Sequence, residues 1–97
     1  MTYVLGARSL GSLSGVHPDM VAVVKRAIEI TGVDFTVIEG LRTVERQRTL
    51  LNDGKSTTMN SRHITGHAVD MVPWPVDWND LERFEVMSEA MKTAAEE

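Results

Sequence analysis

From His17 onward, apolar side chains recur at three- and four-residue steps through Met20, Val23, Val24, Ala27 and Ile28. That is the stripe of a helix burying one face. Pro18 suits a first helical position, Asp19 the first turn and Gly32 the residue after the end, so the pattern predicts a helix over 17–32. The period then changes. "DFTVIEGLR" (34–42) places Phe35, Val37 and Ile38 in a β-prone run before Gly40 and predicts a strand ending near Arg42. "TVERQRTLLNDG" (43–54) reads as a short polar helix with Thr43 as its N-cap and Gly54 as its stop. Residues 55–66 are polar and β-branched and read as a loop, and "HAVDMVPW" (67–74) reads as a second strand ended by Pro73. A last helix runs from Asp77 to Glu97, capped by Asp80, with Leu81, Phe84, Met87, Met91 and Ala94 as its stripe. The first fifteen residues, rich in Gly and Ser, predict an irregular lead-in.

The order helix, strand, helix, loop, strand, helix predicts an α+β domain in which a small antiparallel sheet packs with helices. Two strands alone make a weak sheet, which needs further strands or helix packing to be stable. No internal repeat or low-complexity linker divides the 97 residues, so residues 1–97 are expected to form a single domain with one modest core.

Composition removes several function classes. Fourteen acidic against ten basic residues give a formal charge of −4, without the basic footprint that nucleic acid binding needs. There is no cysteine, so any metal must be held by His, Asp or Glu. No run approaches the roughly 18 apolar residues of a membrane span. The start, "MTYVLGARSLGSLSGV", has no apolar run of signal-peptide length, so synthesis in the cytoplasm without export by that route is expected.

The chemistry concentrates in "SRHITGHAVD" (61–70), which holds two of the three histidines. On a continuous helix His63 and His67 would be i,i+4 neighbours, as in helical zinc sites. Thr65 and Gly66 between them, and the β-type "AVDMV" after them, argue against that helix. If 67–72 is a strand, Ala68, Asp70 and Val72 share one face while His67, Val69 and Met71 face the other way. His63 precedes Gly66, where a turn can fold it back toward Asp70. The metal pair this favours is His63 with Asp70, because imidazole nitrogen and carboxylate oxygen are both ordinary zinc ligands. The structural alternative is a lone histidine in a loop and an aspartate in a strand with no ligand. His17 reads as a surface residue before the helix start, and Trp74 and Trp78 as groove lining or as packing.

The same ten residues resemble the S-x-H-x-x-G-x-A-x-D signature of zinc peptidases that cleave peptidoglycan. These are the D-alanyl-D-alanine carboxypeptidases and dipeptidases, together with the phage L-alanyl-D-glutamate endolysins. Ser61, His63, Gly66, Ala68 and Asp70 occupy the fixed positions. Upstream, "VHPDMVAVVKRAIEITGVDFTVIEGLRTVERQ" is similar to the lead helix, first strand and Arg-bearing turn of the endolysin branch. The likeness covers roughly residues 16–95. It implies a hedgehog/D-Ala-D-Ala-peptidase-like fold, a Zn2+ cofactor held by His63 and Asp70, and a peptidoglycan stem peptide as substrate. It also implies that Arg42 binds a substrate carboxylate or stabilises the oxyanion, with Gln47 and Ser61 in support. The bond implied is L-Ala–D-Glu, with D-Ala–D-Ala as the second option. Release to the bacterial cell wall would follow cytoplasmic synthesis.

The family pattern continues past the last helix with a strand that brings a catalytic acid and a third zinc ligand. Here the sequence stops at Glu97 with no histidine after His67. The expectation is therefore a truncated peptidase domain, with C-terminal strand(s) missing and little or no activity on its own. Two alternatives stay open. One is a third ligand recruited from His67, His17, a tail carboxylate or another copy. The other is a non-catalytic remnant that binds wall peptide or zinc. A homodimer through the unpaired sheet edge is a further expectation.

Overall fold

Pro18 starts the helix that the sequence pattern anticipates, and His17 caps it by accepting the Asp19 amide at Nδ1, 3.1 Å away. Thr43 and Asp80 cap the next two predicted helices in the same way, with Arg46 N donating at 3.0 Å and Arg83 N at 3.3 Å. These oxygens and nitrogens satisfy amides that have no partner inside the helix. The computed structural model describes residues 3–97, in the order α1 (Ala7–Ser12), α2 (Pro18–Ile30), β1 (Phe35–Glu39), α3 (Val44–Asn52), β2 (Asp70–Pro73) and α4 (Leu81–Glu96). No helix among these residues is long and apolar enough to cross a membrane.

The core lies between α2, α4 and one face of the sheet. Val24, Ala27 and Ile28 of α2, Met87, Ala90 and Ala94 of α4, and Phe35 and Val37 of β1 are buried together, closed at one end by Leu13 and Val16. The α4 stripe is rotated from the one expected. Leu81 is exposed, Phe84 and Met91 pack at the margin, and Ala90 takes an interior position. On α2 the guanidinium of Arg26 grips Glu97 with two hydrogen bonds of 2.7 and 3.1 Å, fastening the end of α4.

The two strands are antiparallel, with Phe35 opposite Pro73, Thr36 opposite Val72, Val37 opposite Met71 and Glu39 opposite Asp70. Two steps along β1 therefore match one step along β2, and Ile38 is the extra residue of a β-bulge. Paired residues share a face. Regular alternation would put Glu39 with Phe35 and Val37 on the core side, whereas the bulge turns it to the side of Asp70. The second strand begins at Asp70 rather than His67, so the alternation expected for 67–69 does not apply.

A helix stands where an irregular lead-in is expected. Ser9 of α1 is buried and its Oγ accepts the Val37 amide at 3.0 Å, covering the outer edge of β1. The sheet thus receives from a helix the support that more strands would otherwise give. Only the free side of β2 is left among the described strand edges for pairing with a second copy. Ser9→Ala leaves the Val37 amide buried without an acceptor. It is expected to lower stability by about 1–3 kcal/mol in urea unfolding.

Candidate active site

His63 is held by the segment that leaves β1. Its Nδ1 lies 2.8 Å from the Gly40 carbonyl oxygen, and its own carbonyl accepts the Arg42 amide at 2.8 Å. A carbonyl only accepts, so Nδ1 carries the hydrogen and the neutral ring keeps its lone pair on Nε2. That nitrogen faces Asp70 Oδ1 at 3.4 Å. Gly40 is tightly enclosed: a β-carbon there would run into the Ser12 carbonyl oxygen and come within 2.6 Å of Val16 Cγ2.

The loop carrying His63 is wound into successive turns. Ser61 Oγ accepts the His63 amide at 3.2 Å, which places Ser61 as a brace for the turn. Gly66 has φ +79°, and a β-carbon there would sit 2.7 Å from the Gly15 carbonyl oxygen. Its own carbonyl accepts the His17 amide at 2.7 Å, tying the loop to the start of α2. Only glycine meets both the left-handed backbone and the close approach.

Arg42 closes the site from below. Its side chain is 9% exposed, and the half-exposed Asp70 carboxylate stands 3.6 Å from one terminal nitrogen. Nε donates to Glu39 Oε1 at 2.6 Å and Nη1 to Gln47 Oε1 at 2.6 Å. Gln47, fully buried on α3, passes the contact on: its Nε2 donates to Ser56 Oγ at 2.8 Å and to the Thr58 carbonyl at 2.6 Å. The Arg42 hydrogen bond holds the Glu39 carboxyl below its ordinary value, against an opposing effect of burial. A carboxylate so committed is a poor proton acceptor.

The five residues singled out in the sequence (Arg42, Gln47, Ser61, His63 and Asp70) are therefore brought into one connected cluster. Glu39 belongs to it and was missed, because a charged residue at a strand end reads as solvated. Other sequence candidates fall elsewhere. His17 and His67 stack on each other with ring centroids 4.7 Å apart, and Glu97 is engaged by Arg26. Trp74 follows Pro73 at the end of β2 remote from Asp70, and Trp78 stacks on Phe84 at 5.6 Å.

The pair His63 and Asp70 fits two ligand positions of a tetrahedral zinc ion. Tetrahedral zinc with bonds of about 2.0–2.1 Å sets its ligand atoms about 3.3–3.4 Å apart, and the two donor atoms are separated by 3.4 Å. A ligating histidine usually gives its other N–H to a carbonyl or carboxylate, as His63 gives Nδ1–H to Gly40. Among the described residues no group of three or more His, Cys, Asp or Glu side chains is placed to hold a metal.

The chain as a whole is similar to known proteins. A family model described as phage L-alanyl-D-glutamate peptidase matches residues 1–97. An L-alanyl-D-glutamate peptidase of Escherichia phage T5 is 36% identical over 103 residues, covering 100% of this chain and 75% of the relative. One from Listeria phage A118 is 32% identical over 84 residues, covering 80% of this chain and 30% of its own length. The crystal structure of the Serratia marcescens L-Ala D-Glu endopeptidase ChiX superposes with a TM-score of 0.86 at 44% identity. The match covers 93% of this chain and 69% of that one.

Replacing Gln47 by Leu keeps the volume but strands the Arg42 Nη1 hydrogen in a buried place. The variant is expected to lose about 1–3 kcal/mol of stability in denaturant titration. Mobility of residues 56–58 is expected to rise, read as faster amide hydrogen exchange there.

Proposed function

The chain belongs to the phage L-alanyl-D-glutamate peptidase family, and from that membership we propose that it cuts the L-Ala–D-Glu bond of peptidoglycan stem peptides with a zinc ion held by His63 and Asp70. The observation that carries the metal assignment is the His63 Nε2 lone pair facing Asp70 Oδ1 at 3.4 Å, with Nδ1 tied back to Gly40. Residues 1–97 act in this reading as one peptidase domain whose site of action is the bacterial wall. Synthesis in the host cytoplasm and later release to the wall belong to the same proposal. Pairing of two copies would run through the free side of β2, since Ser9 covers the outer edge of β1.

Zinc, when bound, supplies Lewis-acid polarisation of the scissile carbonyl and a water acidified toward neutrality. The chain's own residues do the rest of the positioning. Gly40 fixes the His63 tautomer, so the donor nitrogen is ready without rearrangement. Arg42 sets a permanent positive charge beside the place where negative charge develops on the substrate, in a setting with little water to screen it. Gln47 and Glu39 hold the guanidinium so that it is oriented before substrate arrives, and Ser61 braces the turn that carries His63. A hydrolytic zinc site ordinarily has three protein ligands. Only two donors stand together among the described residues, so modest zinc affinity and slow turnover are expected of this chain by itself.

The test joins zinc calorimetry to digestion of purified sacculi. Zinc binding that His63→Ala and Asp70→Asn each abolish is expected, with products carrying a new D-Glu amino terminus by mass spectrometry. Release of D-Ala instead would move the specificity to the carboxypeptidase branch. Zinc binding untouched by either substitution would overturn the ligand assignment. Sacculi bound without any cleavage, at saturating zinc, would overturn the peptidase reading in favour of a wall-binding role.

A further inference from the structure

Arg42 has two carboxylates in reach, and they are not used equally. Glu39 Oε1 is 2.6 Å from Nε, whereas Asp70 Oδ2 is 3.6 Å from Nη2. The first is a short charge-assisted hydrogen bond and the second lies outside good hydrogen-bonding distance. The difference matters because the Arg42 side chain is only 9% exposed. Water cannot neutralise it, so a carboxylate must.

If Glu39 did not take the cation, Asp70 would be the nearer remaining anion, and closing 3.6 Å to contact needs only a small side-chain rotation. Asp70 would then spend a carboxylate oxygen and its charge on Arg42. It would also turn away from His63, whose Nε2 it now faces at 3.4 Å through the other oxygen. The backbone has made a specific provision against this outcome. The bulge at Ile38 brings Glu39 directly opposite Asp70, and Gln47 accepts from the adjacent guanidinium nitrogen, leaving Nη2 as the one that faces Asp70.

We propose that Glu39 is a positioning residue of the metal site, which holds Arg42 off Asp70 and so keeps Asp70 free to share a ligand with His63. This role rests on the zinc reading of His63 and Asp70. It acts through Arg42, and Glu39 itself touches neither metal nor substrate.

The experiment is a zinc titration by calorimetry on the full chain and on Glu39→Gln, Arg42→Gln and the double variant, each checked for folding by circular dichroism. Glu39→Gln is expected to weaken zinc binding about 10- to 100-fold, the usual range for a group that orients a ligand. In the Arg42→Gln background the same change is expected to cost less than about threefold, because no cation is left to capture Asp70. A loss of equal size in both backgrounds overturns the proposal and marks a plain through-space charge effect. Unchanged affinity in Glu39→Gln also overturns it while leaving the zinc reading intact. No zinc binding by the unsubstituted chain brings down the zinc reading first and this role with it. A crystal structure of Glu39→Gln gives a second readout that does not depend on the Arg42 variants folding. Arg42 and Asp70 are expected to close from 3.6 Å to about 2.8 Å, and an unaltered separation overturns the proposal.

Discussion

The hydrogen bond from His63 Nδ1 to the Gly40 carbonyl, at 2.8 Å, is the constraint on which the site depends. It fixes which ring nitrogen carries the proton and where the other one points. Gly40, which supplies that carbonyl, lies pressed against Ser12 and Val16, a fit that admits no side chain. The packing of the α1–α2 connection on the end of β1 is therefore transmitted to the chemistry. The next residue but one, Arg42, returns its amide to the His63 carbonyl. The exit of β1 thus holds a loop that comes some twenty residues later in the chain, and a small domain gains rigidity there without more strands.

A second consequence is the burial of Arg42. A guanidinium removed from water costs several kcal/mol unless carboxylates and good acceptors receive it. Here Glu39 and Gln47 provide two contacts at 2.6 Å, and Asp70 adds its charge from 3.6 Å. The arrangement is polar throughout and leaves no buried side-chain nitrogen or oxygen unpartnered among the described residues. Such a network is stiff because each member loses a partner if another moves. Stiffness of this kind suits a site whose ligands must be in place before the metal and substrate arrive.

Much of this was legible in the sequence. The periodicity at Met20 to Ile28, the caps at Thr43 and Asp80, and the apolar run at Phe35 to Val37 each reported a local preference that the fold keeps. What escaped was decided by tertiary contacts. The helix at Ala7–Ser12 has Gly6 at its N-cap with no side-chain cap, and Gly11 inside it, so nothing local announces it. It forms where Ser9 satisfies Val37. The bulge at Ile38 is hidden because "VIE" reads equally well in either register. Gln47 is fully buried on a helix of mostly polar residues, where its partner Arg42 and not hydrophobicity accounts for burial. Arg42 was joined to His63 and Asp70 by family resemblance, since nothing in spacing alone says that residues 42 and 63 meet.

The spacing S-x-H-x-x-G-x-A-x-D nevertheless has a physical reading once the fold is known. Ser61 must lie two residues before His63 for its Oγ to receive the His63 amide within one turn. Gly66 must follow three later, where the chain reverses with φ +79° and its backbone meets residues 15–17. Ala68, partly buried, leaves room for the chain to enter the sheet. Asp70 is the first residue of β2, set opposite Glu39 by the bulge. The intervening Arg62, Thr65 and His67 are exposed and carry no comparable demand. The signature is thus a record of one turn seen from its constrained positions. The one member of the cluster that it omits from the facing strand, Glu39, lies where a motif confined to residues 61–70 cannot register it.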